Sequence, residues 1–246
     1  MFDSLRIQMH DAERFPSLER YSPVFRSEVW ELWQNREGAY LFIGSPITNP
    51  RWLEVNPGFT RGSFFGPLES LDQPNEFFLR GIDMPLYVNW LARDGDVILH
   101  ASGIKIGDKG YAFIGPSGAG KSTLAHTLAA QPNVKILGED QVVLRNLEGC
   151  YWIYGTPWHE TPEMCSSEGA PLKRLFFLHR DYPVTLSAQR PADAMVQILQ
   201  TAFIPYYQPQ RLPNILANLS SLTETVPLYN LSYQLGADIL PVITNI

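Results

Sequence analysis

The chain is short of several things, and each shortage narrows its class. It holds two cysteines in 246 residues, Cys150 and Cys165, at a separation that fits no metal motif; neither a zinc module nor a disulfide framework is expected. No stretch approaches 18 consecutive apolar residues, and Met1–Ile7 lacks the charged-then-apolar order of a signal sequence. The expectation is a cytoplasmic protein that makes no use of a membrane. No run of lysine and arginine offsets the formal charge of −6, which argues against a nucleic-acid partner and against binding to anionic lipid. Low-complexity linkers and internal repeats are also missing. What remains is 45% hydrophobic and 18% charged, enough for one core of ordinary depth with a smaller lobe attached.

One segment concentrates the chemistry. Gly115, Pro116, Ser117, Gly118, Ala119, Gly120, Lys121, Ser122 and Thr123 satisfy G-x-x-x-x-G-K-[ST] in full. A triphosphate needs many donors and little bulk, so glycines let successive backbone N–H groups curl around it without Cβ clashes. Lys121 adds a mobile positive charge. The Ser122 hydroxyl, in the first helical turn, is placed to ligate Mg²⁺, and a helix N-terminus favours the anion. Tyr111–Ile114 reads as a buried strand before the loop, while Leu124, Ala125, Leu128 and Ala129 repeat at helical spacing until Pro132. A nucleoside triphosphate, ATP or GTP, with Mg²⁺ is the expected ligand; the glycine spacing is wrong for a dinucleotide.

Two further segments are expected to face this loop. Val134–Leu137 reads as the next strand, followed by Glu139 and Asp140, as acidic residues follow a strand where they hold magnesium or its waters. One or both should approach the γ-phosphate; the plainer reading is a solvated turn. Upstream, Gly103–Ile106 and Tyr111–Ile114 flank Gly107, Asp108, Lys109 and Gly110, a four-residue loop of hairpin composition. Regular pairing then sets Ile106 opposite Tyr111 and carries His100 opposite Ser117, making His100 a candidate site residue unless a bulge intervenes. His159, after Thr156, Pro157 and Trp158, reads either as a pocket border or as part of a packed aromatic corner. Arg174 and Arg180 read as surface charges within conceivable reach of a phosphate.

At these residues the chain resembles a known family. Leu99 to Ser102, Gly115 to Ser122 and Gly138 to Asp140 are similar to the histidine, Walker A and acidic-pair segments of the catalytic domain of HPr kinase/phosphorylase, a relative of ATP-dependent phosphoenolpyruvate carboxykinase. The run from Asp96 through His159, with Ala170 to Leu178 after it, looks like the HPr-kinase-like branch of bacterial proteins. This resemblance covers about two thirds of the chain and is specific from Val97 to Val143. It implies an α/β fold with a mixed sheet around the phosphate loop. It also implies that Asp140 accepts the proton of a target serine hydroxyl, with His100 beside it and Ser122, Glu139 and Asp140 toward magnesium. Glu139 stands where the family has an aspartate, and the arginine- and glycine-rich segment that follows in true HPr kinases has no clear counterpart. Phosphorolysis and HPr as acceptor are therefore open, and self-association is compatible with the resemblance.

Around this centre the texture changes. Residues 1–92 are rich in aromatics and proline, with strands expected at Ala39–Ile43 and Arg51–Val55 and a helix within Glu76–Ala92. They read as a β-rich amino-terminal lobe serving acceptor recognition, and residues 93–246 as the catalytic domain. Within the latter, Arg174–His179 reads as a buried strand and Pro191 opens a helix whose Met195, Ile198, Leu199, Ala202 and Phe203 share a face. Leu212, Ile215, Leu216, Leu219 and Leu222 form a second apolar helical pattern before a closing strand at Val226–Tyr233. Three functions follow: a kinase acting on a serine-type hydroxyl of a protein, peptide or small molecule; a nucleotide-dependent switch or hydrolase; and a nucleotide-binding protein that has lost transfer.

Overall fold

The computed structural model describes residues 4–10, 15–44, 50–66, 81–158, 166–179, 183–234 and 236–245. His159, Cys165, Arg180 and the first residues of the helix expected from Glu76 lie outside the described residues. The fold is mixed α/β, and the chain divides into two units, one of residues 1–90 with 206–209 and one of residues 91–205 with 210–246.

The first unit is built on a six-stranded sheet: β1 (Arg6–His10), β2 (Tyr21–Arg26), β3 (Trp30–Asn35), β4 (Tyr40–Gly44), β5 (Arg51–Val55) and β6 (Arg61–Phe65). Strands β2 to β6 run as an antiparallel meander, and β1 adds to β6 in parallel. Asparagines set two of its turns. Asn35 Oδ1 accepts the N–H groups of Glu37 and Ala39, and Asn56 Oδ1 those of Thr60 and Arg61, an Asx-type arrangement that replaces ladder partners at a chain reversal. Helix α1 (Asp83–Ala92) follows, and Leu32, Phe42, Leu53, Phe59, Phe64, Ile82 and Leu86 form the core. Tyr207, from the far part of the chain, closes it. Its ring stands 5.1 Å from that of Phe25 and 5.8 Å from that of Trp30, and its hydroxyl accepts a hydrogen bond from Asn89 Nδ2 at 2.9 Å.

The second unit carries the glycine-rich segment 115–123. Its elements are β7 (Val97–Ile106), β8 (Lys109–Ile114), α2 (Lys121–Ala129), β9 (Val134–Gly138), β10 (Gln141–Leu147), β11 (Cys150–Gly155), β12 (Gly169–His179), β13 (Thr185–Ala188), α3 (Pro191–Thr201), β14 (Ala202–Phe203), α4 (Leu212–Thr225), β15 (Leu228–Ser232) and α5 (Leu240–Thr244). The nine strands follow the order β11-β10-β7-β8-β12-β15-β13, with β9 and β14 each pairing on β7. β8, β12 and β15 are parallel, and the remaining pairs are antiparallel. The long β7 is shared: its first residues pair with β10 and β14, its last with β8 and β9.

Burial on both faces explains the unbroken apolar run in β12. Leu175 and Phe177 enter a layer with Ile198, Ile215, Leu219 and Leu222 of α3 and α4, whereas Phe176 and Leu178 enter one with Leu124, Ala125 and Leu128 of α2 and Ile239 and Ile243. A strand covered on each side has no polar face to show.

The β7–β8 hairpin departs from the expected register. Ile106 pairs with Lys109 and Ala101 with Ile114, so the turn is the two residues Gly107 and Asp108 rather than four. Gly107 has φ +60, as the first position of a tight hairpin turn demands. His100 therefore does not reach the 115–123 loop by standing opposite Ser117. Its ladder partner is Gln141 on β10.

Candidate functional site

The loop after β8 is shaped by what glycine alone permits. A Cβ on Gly115 would lie 2.9 Å from Ala119 Cβ and 3.2 Å from the Leu178 carbonyl oxygen, so this position is closed to any side chain. Gly118 and Gly120 adopt φ +78 and +88, conformations that other residues occupy only with strain. The Ala119 N–H closes a turn onto the Pro116 carbonyl at 3.1 Å. Helix α2 then starts at Lys121 with no side-chain cap, leaving its first-turn N–H groups without intrahelical acceptors. Such an uncapped terminus is an anion-binding arrangement.

Lys121 is buried, at 6% exposure. Its Nζ donates to the carbonyls of Gly115, at 3.0 Å, and Pro116, at 3.3 Å. Burial pushes its pKa below the usual lysine range, and the nearby Asp140 charge pulls the other way. An ammonium resting on main-chain carbonyls is poised to exchange them for a stronger acceptor such as phosphate.

The opposite wall is set by β10. Its pairing with β7 places Gln141 beside His100, and the Ala101 N–H donates to the Asp140 carbonyl at 3.1 Å. The Ser102 hydroxyl donates to the Glu139 carbonyl. Gly138 is needed for the tight reversal between β9 and β10, because a Cβ there would stand 2.4 Å from the Gln141 carbonyl oxygen. Held in this way, Asp140 Oδ1 lies 3.0 Å from His100 Nε2. Glu139 goes elsewhere: its Oε1 lies 3.0 Å from His126 Nε2 on α2.

The result is a cleft of about 320 Å³ whose walls include His100, Ser117, Gly118, Gly120, Lys121, Ser122, Thr123 and Asp140. Of the other candidates, Gly115 and Pro116 stand behind it with their carbonyls on Lys121, and Ala119 is buried under the loop at 4% exposure. Glu139 does not line this cleft; it tethers the turn that presents Asp140.

Arg174 corrects the expectation of a surface charge. It is 8% exposed, and its Nε has no hydrogen-bond partner among the described residues. It pairs with Tyr111 on β8, four residues short of Gly115, or roughly 13 Å along a strand, so it belongs to the sheet interior and not to the cleft. Two residues that the sequence did not single out matter here. His126 engages Glu139, and Tyr233 places its hydroxyl 2.7 Å from the Gly120 carbonyl oxygen. Neither has a local signature, since each is joined to its partner only by the fold.

Among solved structures the chain is similar to the HPr(Ser) kinase/phosphatase from Coxiella burnetii, at 12% identity and a TM-score of 0.36, over 59% of this chain and 85% of that one. A likeness this distant carries no argument about the cleft. No family model matches the chain, and no curated protein matches it. No helix of the described residues is long and apolar enough to cross a membrane.

Proposed function

We propose that the chain is an ATP-dependent kinase that transfers the γ-phosphoryl group to a serine-type hydroxyl of a protein, a peptide or a small molecule. One juxtaposition carries the reading: the His100–Asp140 pair shares a cleft with the phosphate loop and its lysine. The cradle suits a polyphosphate, having two left-handed glycines, a helix start with no side-chain cap and a buried ammonium resting on its own loop. Main-chain N–H groups of the loop and Lys121 hold the phosphates. Ser122 and Asp140 are the residues for Mg²⁺, which neutralises phosphate charge when bound. Asp140 accepts the proton of the acceptor hydroxyl as that oxygen bonds to the γ-phosphorus and the bond to the bridging oxygen breaks, releasing ADP. His100 orients the carboxylate.

A second reading has an observation of its own. Glu139 is engaged by His126, and Asp140 is the carboxylate that lines the cleft among the described residues. That favours a nucleotide-dependent switch, or a binding protein that has lost transfer. Purified full chain, MgATP and serine-bearing acceptors separate these. Lys121→Ala should abolish MgATP binding in titration calorimetry. Asp140→Asn, which keeps one oxygen toward Mg²⁺, should retain measurable MgATP binding yet lose transfer by roughly 10²–10⁴. Equal transfer by wild type and Asp140→Asn would remove Asp140 as the base. ADP release with no phosphorylated acceptor would favour the switch, and tight binding without turnover the third function.

A further inference from the structure

Tyr233, just past β15, is 3% exposed. Its hydroxyl lies 2.7 Å from the Gly120 carbonyl oxygen and 3.4 Å from that of Ala119. Its own N–H donates to the carbonyl of His179, the last residue of β12, at 3.3 Å. The phenol is seated where a side chain on Gly120 would go: a Cβ there would stand 2.2 Å from the hydroxyl oxygen and 3.3 Å from ring carbon Cζ. Tyr233 thus fills the back of the phosphate loop and is fixed to the sheet by its main chain.

The consequence follows from peptide geometry. In a planar trans peptide the C=O and N–H point in opposite directions. The Gly120 carbonyl takes both the Tyr233 hydroxyl and the Leu124 N–H, the latter at 2.8 Å, so it is held along the helix and the Lys121 N–H is aimed out of its start. Gly120 also sits at φ +88 and ψ 21, a conformation a flexible glycine leaves readily unless it is restrained.

We propose that Tyr233 is a positioning residue of the phosphate loop: its hydroxyl holds the 120–121 peptide in its donating orientation, so polyphosphate affinity depends on a group that does not line the cleft. This rests on the nucleotide-binding reading given above. The test is Tyr233→Phe in the full chain, which keeps the ring and removes the hydroxyl. The variant should keep a thermal midpoint close to that of wild type and bind MgATP about 3- to 10-fold more weakly, the share of one neutral hydrogen bond. In turnover, KM for ATP should rise by a similar factor with kcat little changed, a split that general loosening of the fold would not give. Equal MgATP affinity in Tyr233→Phe and wild type overturns the proposal. Wild-type protein that binds no MgATP overturns the nucleotide reading instead. Should the variant not fold, hydrogen exchange on wild type decides: MgATP must slow exchange around Tyr233 as well as in residues 115–123, and protection confined to the loop overturns the proposal.

Discussion

At the scale of one side chain, Lys121 sets the proposed phosphate binding against the stability of the fold. Its ammonium is buried on main-chain carbonyls, and burial lowers its pKa. Because the folded value lies below the unfolded one, the charged lysine is a burden on the fold at neutral pH, relieved only as pH rises through the folded pKa toward the unfolded value of 10.5. Lys121→Met should therefore raise the thermal midpoint of the free protein, by roughly 2–4 °C if about 1 kcal/mol is recovered, while removing MgATP binding. A lower midpoint would show that the amine supports the fold instead. The turn around Lys121 was legible because its left-handed glycines and the helix start after them are spelled within nine contiguous residues. Which of two adjacent carboxylates faces the cleft was left open by the spacing, although the family resemblance pointed to Asp140. Consecutive residues leaving a strand diverge, and the choice between Glu139 and Asp140 is made by His126 and His100, which only the fold brings near.

Elements whose pattern is self-contained were readable in the same way. β5 spans Arg51–Val55 as expected, α3 opens at Pro191, and α4 carries the apolar face of Ile215, Leu219 and Leu222. β10 and β11 were missed, and with them the pairing that presents Asp140. The hairpin register was also misjudged, although a glycine followed by aspartate between two strands is itself a two-residue turn signal. Glu168 ties three elements together here. Just before β12, it meets Lys105 of β7 and Lys135 of β9 at 2.7 Å each, and hydrogen bonds to the two ammonium groups hold its carboxyl at about 2. With the folded pKa depressed, its contribution to stability is present above the unfolded value near 4.5 and is lost as pH falls toward 2. Glu168→Gln should flatten that part of the midpoint-versus-pH curve, and the difference should shrink in high salt. Parallel curves for both proteins would show that the pair of lysines does not hold the carboxylate in solution.

For the whole molecule, the informative feature is that residues 206–209 pack with the first unit although the chain between belongs to the second. Asn89, 1% exposed, receives Gln208 Nε2 at 2.6 Å and gives its own amide to Tyr207, so the aromatic cluster of Phe25 and Trp30 is completed from a distance. Tyr207→Ala should destabilise the first unit by about 3–5 kcal/mol, the range for emptying a large aromatic site. Hydrogen exchange should rise in β2, β3 and α1 and stay unchanged in β12 and β15; a uniform rise over the chain would mean that the unit does not open by itself. No periodicity foretells this return, because four residues are too few to carry a pattern. It has a consequence on the ribosome. The amino-terminal sheet emerges first, but residues 91–205 must be made before Tyr207 appears. At about 5–20 residues per second that is a wait of roughly 6–23 s. Throughout it, nascent Phe25 and Trp30 lack their cover and are open to chaperones.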